Sequence, residues 1–308
     1  MLKQKMIRSF LLVLAASLVF TSMGQASTSN LKGTVDIDGS STVYPITEAV
    51  AEEFGKLHKD VRVPVGVSGT GGGFKRFCNG ETAISNASRP ISATEKKLCR
   101  DKGVSYIELT VAYDGLSVIV NPKNTWVNTL TVAQLNMIFK PDSTVKTWKD
   151  VDSSWPAREI KIYSPGADSG TFDYFTEAVN KKAKASRNDK QVTFSEDDNV
   201  LVSGIANDAD AIGYFGFAYF EENADKLKLV PIDGGKGAVT PTPKTIANNS
   251  YAPLSRPLFI YVSRKELKRP EVMAFTRFYL QNAGKLSNEV GYVALSKNWY
   301  NSQLRRVR

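Results

Sequence analysis

The feature that most constrains this chain is a recurring unit: a short apolar strand, a loop of Gly, Ser and Thr, then a segment with helical periodicity. Thr34-Val35-Asp36-Ile37 alternates as a strand and runs into Gly39-Ser40-Ser41-Thr42. The helix that follows carries Ile46, Ala49, Val50, Phe54 and Leu57 on one face, with Pro45 tolerated in its first turn. Val61 to Val67 reads as a second strand, entering Ser68-Gly69-Thr70-Gly71-Gly72-Gly73 and then Phe74-Lys75-Arg76-Phe77. Ala83-Ile84-Ser85 enters Asn86-Ala87-Ser88-Arg89-Pro90 and a helix opened by the capping-box pair Ser92 and Glu95. The unit returns at Ile160 to Tyr163, with Asp168-Ser169-Gly170-Thr171 and a helix whose buried face holds Phe172, Phe175 and Val179. Alternation of this kind implies an α/β fold with parallel strands.

Three of the loops share a chemistry. A helix start offers unpaired N–H groups and the positive end of the dipole, glycine lets backbone approach a ligand, and hydroxyls add donors. Loops at the carboxyl ends of strands are where α/β sheets bind ligands. Here the product is an oxyanion pocket. Two donor loops precede, and one follows, an extended stretch from Tyr106 to Asn121 that is broken at Asp114-Gly115 and reads as a crossing between lobes. The anion would then sit between two lobes and close a hinge. Beyond the crossing, Thr131 and Gln134 cap a helix, and a further helix covers Val200 to Ala206. Strands follow at Ala211 to Phe217 and Lys228 to Ile232. Gly234 to Pro253 reads as a loop before the return strand Leu258 to Val262, and helices over Pro270 to Asn282 and Val293 to Gln303 close the chain.

Lys3, Lys5 and Arg8 before the apolar run Phe10 to Phe20, and Gly24-Gln25-Ala26 after it, mark residues 1–26 as a signal peptide. No cysteine follows the run to take a lipid, so a soluble exported protein starting near Ser27 is expected. Among the 308 residues, 42% are hydrophobic and 23% charged, ordinary for a globular chain. The formal charge of +9 includes the three cations of the leader, and the remainder is still basic, which favours encounter with small anions. Those cations are dispersed and no nucleic-acid motif is present, so no nucleic acid is expected as a partner. In an exported chain, Cys78 and Cys99 are expected to form a disulfide.

Catalysis is poorly supplied. His58 is the sole histidine and sits at a helix end between Lys56 and Lys59. There is no G-x-S-x-G elbow, no P-loop and no His/Cys cluster, so neither enzymatic activity nor a metal or other cofactor is expected. The competing reading, a secreted phosphatase-like hydrolase with a loop serine as nucleophile, lacks a base to activate that serine. Lys75 and Arg76 read as solvated helix charges.

In Asp38-Gly39-Ser40-Ser41-Thr42-Val43-Tyr44-Pro45, Ser68 to Lys75, Asn86 to Ile91, Ala112 to Leu116, Ala167 to Phe172 and Ala211 to Gly216, in that order, the chain resembles the phosphate-binding receptors of phosphate ABC transporters. These are the PstS family, and the likeness is greatest to its SphX-like branch. The resemblance implies a two-lobed type II periplasmic-binding-protein fold with a hinge between lobes. Residues 27–110 plus 256–308 would form lobe I and residues 111–255 lobe II. It also implies a monomeric periplasmic or extracytoplasmic receptor that delivers inorganic phosphate to ABC-transporter permease subunits. A receptor or sensor for another tetrahedral oxyanion shares the pocket. Carried over by position, the ligand set is Ser41, Thr42, the Val43 N–H, Thr70, Gly71, Ser169, Gly170 and Thr171. The family's aspartate falls where this chain has Ser88-Arg89, and its arginine where this chain has Gly166, so Arg89 is expected to supply the guanidinium. The acceptor for the phosphate proton is then Asp114 or Asp168, the latter also suited to capping its helix.

Overall fold

A computed structural model describes residues 31–167 and 169–307; the leader segment 1–26 and Asp168 lie outside the described residues. Residues 32 to 307 belong to one compact unit built on a mixed sheet of eight strands. Its order is Ile37–Gly39, Ile84–Ala87, Ser255–Ser263, Tyr106–Val120, Ala211–Gly216, Lys161–Pro165 and Val192–Ser195, with Lys228–Leu229 added beside Val120. Pairing is parallel towards both ends, as the strand-loop-helix units require, and antiparallel through the middle, where the return strand lies between Ile84–Ala87 and the crossing strand.

The crossing segment is one uninterrupted strand, Tyr106–Val120, rather than two pieces broken at Asp114-Gly115. What changes there is its partner. Residues Tyr106 to Gly115 pair with the return strand, and Leu116 to Val120 pair on the other edge with Ala211–Gly216. Each portion has its own core. Phe74, Phe77, Ile91, Phe259 and Tyr261 pack around the disulfide Cys78–Cys99 on one side. Val118, Phe139, Trp148, Phe175 and Tyr214 pack on the other, with the rings of Phe175 and Tyr214 stacked 3.6 Å apart.

Local chemistry explains where elements begin and end. Ser92 with Glu95 and Thr131 with Gln134 form complete capping boxes, starting the helices Ala93–Asp101 and Val132–Phe139. Of Val61 to Val67, only Val61–Arg62 is strand, because Pro64 has no N–H to give a ladder. The stretch 234–253 is more than a loop: Thr242 caps the short helix Pro243–Ala247, whose Ile246 is fully buried beside Tyr251 and Leu254. The penultimate helix runs to Glu289, and the last begins only at Lys297, where Ser296 caps it.

Candidate functional site

The first donor loop leaves its strand at Gly39, where φ is +142° and an added Cβ would lie 2.2 Å from the Asn86 carbonyl oxygen, so only glycine turns here. Ser40, Ser41 and Thr42 then lead into the helix Tyr44–Leu57, whose start at Val43 has no side-chain cap. The second donor helix, Gly69–Cys78, likewise starts without a side-chain cap at Ser68. The Tyr44 N–H donates to the Ser40 carbonyl at 3.1 Å and the Ser68 N–H to Asp38 at 2.9 Å, and without a side-chain cap the other N–H groups of these first turns suit a ligand. The third helix, Gly170–Asn180, differs: the Ser169 hydroxyl accepts the Thr171 N–H at 3.2 Å and is itself the cap.

These starts meet at a cleft. A cavity of about 570 Å³ is lined by Ser41, Thr42, Thr70, Gly71 and Arg89 on one wall and by residues of the Gly170–Asn180 helix, Asp173 and Tyr174 among them, on the other. An adjoining cavity of about 440 Å³ is lined by Asp114, Ser169, Gly170 and Thr171, and Ser41 borders both. Between the two the walls touch: a Cβ on Gly170 would lie 3.2 Å from the Thr42 Cα. Val43 is fully buried at the helix start and lines neither cavity. Thr70 is oriented by Ser88, whose N–H donates to its hydroxyl at 3.2 Å.

The two arginines at the cavity are in different circumstances. Arg89 makes a two-pronged pair with Glu95, both contacts at 2.8 Å, and Glu95 is the carboxylate of the capping box. Arg256, which sequence reasoning missed, comes from the return strand. Its Nε donates to Asp114 Oδ2 at 3.2 Å, its terminal nitrogen to the Thr42 hydroxyl at 2.9 Å, and its guanidinium lies 3.6 Å over the Tyr174 ring. A signal for it existed: Arg256 is the only charged residue between Tyr251 and Ser263, a lone cation inside an otherwise uncharged strand.

Five acidic side chains border the cleft, Asp114, Asp173, Glu177, Glu196 and Asp198, and three of them are shifted by their surroundings. Burial pushes the Asp114 carboxyl above its usual range, with Arg256 pulling the other way. Burial also raises Asp173, opposed by Lys184 and Arg256 and reinforced by Glu177. Asp173 Oδ1 is buried and accepts no hydrogen bond; the Lys184 ammonium stands 3.9 Å from it. Asp198, on the second cavity, is pushed up to about 6 by burial and by Asp197 and Glu196. Lys184 also donates to the Ala167 carbonyl at 3.1 Å, steadying the approach to the third loop. Lys75 is exposed, whereas Arg76 is more than a solvated charge: it pairs with buried Asp38. His58 packs its ring on Phe54 and lines neither cavity. Among the described residues, no group of three or more His, Cys, Asp or Glu side chains could hold a metal ion, and no helix is long and apolar enough to cross a membrane.

Comparison with known proteins gives this geometry its relatives. The PBP superfamily domain matches residues 24–283. Protein SphX of Synechococcus elongatus is 54% identical over 277 residues, covering 89% of this chain and 81% of that protein. The phosphate-binding protein PstS of Staphylococcus epidermidis is 46% identical over 285 residues, covering 91% of this chain and 85% of that one. A crystal structure of a possible phosphate-binding protein from Planctomyces limnophilus superposes with a TM-score of 0.86 at 48% identity, covering 90% of this chain and 98% of that one. A putative phosphate ABC transporter substrate-binding protein from Clostridium perfringens, solved with bound phosphate, gives 0.57 at 28% identity over 86% of this chain and all of that one.

Proposed function

The chain belongs to the PBP superfamily and has its two-lobed type II fold, and from that premise we propose that it is an exported receptor for inorganic phosphate that delivers its cargo to an ABC permease. It acts as a monomer outside the cytoplasm, by capture rather than catalysis. Its division is lobe I, residues 27–110 plus 256–308, and lobe II, residues 111–255; a change of partner on the crossing strand supports such a division, and it falls at Gly115 and Leu116, a little beyond Val111. One observation carries the reading: Thr42 of the first donor loop meets both Arg256 and the third donor loop at Gly170, beside a cavity that Thr70 and Gly71 also line.

The donors are Ser41, Thr42, Thr70, Gly71, Ser169, Gly170 and Thr171, with the Val43 N–H at the back of the first turn. Arg256 is the guanidinium that faces the anion, its planar fork suited to phosphate oxygens. Arg89 contributes charge at the rim. Discrimination needs an acceptor, because donors alone hold sulfate as readily as phosphate. Asp114 is committed to Arg256 at 3.2 Å, so Asp173, whose Oδ1 accepts no hydrogen bond and has only the more distant Lys184 ammonium at 3.9 Å, and whose carboxyl is raised by burial, takes the phosphate proton. Titration calorimetry on the exported protein is expected to give near one-to-one phosphate binding and much weaker sulfate binding. Equal affinities would reject phosphate as the ligand, and turnover of a chromogenic phosphate ester would reject a pure receptor.

A further inference from the structure

Convergence of separate loops on one anion requires something behind them to hold their angle. Asp38 occupies that position. It is 2% exposed and lines neither cavity, one residue before Gly39. Its Oδ1 accepts two N–H groups, that of Gly39 at 2.6 Å and that of Ser68 at 2.9 Å, so one oxygen ties the root of the first donor loop to the root of the second. Its Oδ2 accepts from Arg76, whose Nε also reaches Glu81 at 3.1 Å. Two glycines record how tightly this corner is built. A Cβ on Gly66 would lie 2.9 Å from Asp38 Cγ, and one on Gly73 would lie 2.5 Å from Gly39 Cα, so the second donor helix rests directly on the first loop.

A carboxylate here has a cost. Burial disfavours its ionised form, and hydrogen bonds from Arg76, Ser68 and Gly39 together outweigh that and hold its carboxyl below the usual range. An uncompensated negative charge directly behind an anion site would oppose the guest, and the Arg76 guanidinium, shared with the more exposed Glu81, offsets it.

We propose that Asp38 and Arg76 form an ion-paired brace that positions the first two donor loops for anion capture, Asp38 by fixing both loop roots and Arg76 by screening its charge. The brace touches no ligand, and it rests on the phosphate reading above.

Calorimetry with inorganic phosphate on wild type, Asp38→Ala, Asp38→Asn, Arg76→Ala and the double variant Asp38→Asn/Arg76→Ala tests it, with circular dichroism to select folded samples. Loss of both N–H contacts in Asp38→Ala weakens binding about tenfold, and an unscreened carboxylate in Arg76→Ala does so by a similar factor. Asp38→Asn keeps an acceptor oxygen for both N–H groups without charge but turns a donor towards Arg76, so alone it costs about threefold, and it restores affinity to the Arg76→Ala protein, where that donor clash is absent. A purely structural residue would lower the melting temperature without that rescue. Wild-type affinity in Arg76→Ala, or a loss that Asp38→Asn fails to repair, overturns the brace even if Asp38→Ala does not fold. Absence of phosphate binding in the wild-type protein overturns the receptor reading instead.

Discussion

Arg89 and Arg256 border the same cavity and differ in what else holds them. Arg89 has a side chain 43% exposed, with both terminal nitrogens engaged by Glu95, and one of them also by the Pro90 carbonyl. Arg256 is 13% exposed, leans on an aromatic ring and shares itself between Asp114 and Thr42. A charge matters to a ligand in proportion to how little solvent screens it and how few partners already claim it. The rim arginine sits where positional likeness expects a charged ligand group; the strand arginine sits where the field is strong.

The most direct way to break this contrast is Arg256→Ala. It should weaken phosphate binding about a hundredfold, roughly 3 kcal/mol, and lower stability as well, because Asp114 is left buried without its cation. Calorimetry and thermal melting check both parts; a change of less than about threefold would abolish the distinction. Asp173→Asn asks whether the acceptor belongs to the same corner. The amide can donate to a fully ionised oxyanion, so the ratio of phosphate to sulfate affinity should fall about tenfold, read by competition titration.

Asp198 sharpens the comparison from the neighbouring cavity. Its carboxyl is raised from 3.8 to about 6, so the native state binds the proton more tightly than the unfolded chain. Its stabilising contribution is complete below about pH 4, is lost as pH climbs towards about 6, and is flat above. Asp198→Asn should remove that slope and, after solvent screening, raise stability by about 1 kcal/mol at pH 7. Urea unfolding across this window decides it, and an unchanged slope would refute it. The smallest effect is reserved for Arg89→Ala, expected to cost about threefold in phosphate affinity and still more than exposed Lys75→Ala. An effect matching that of Arg256→Ala would reverse the ranking.

Local signals carried most of what could be read before the structure. Capping boxes at Ser92 and Thr131 and the Cys78–Cys99 pairing depend on neighbours in sequence or on simple proximity, and all are present. The strand-loop-helix units hold at Ile84–Ala87 and Lys161–Pro165, whereas the expected strand Thr34 to Ile37 is split into Gly33–Thr34 and Ile37–Gly39, and that over Val61 to Val67 shrinks to Val61–Arg62. Long-range contacts were not legible in the same way. Asp114-Gly115 looks like a break because Gly and Asp are poor strand formers, yet Arg256 and Ser255 pair with them and keep the strand whole. The helix Pro243–Ala247 is hidden in a turn-rich stretch and exists because Ile246 packs on Gly115. At the site, the donor loops declared themselves by composition, whereas Arg256, Asp173 and Asp38 are single residues whose meaning comes from what the fold lays beside them.

The strand Tyr106–Val120 behaves like a torsion bar. Its backbone is shared by both sheet halves, and Val111, Ala112, Asp114, Leu116, Ser117 and Val118 along it are buried. Any rotation of one half against the other is stored as extra coil in a hydrogen-bonded ribbon, without the slack of a free tether. A wide excursion would have to break that ladder, and a buried, hydrogen-bonded strand gives a protease little to seize.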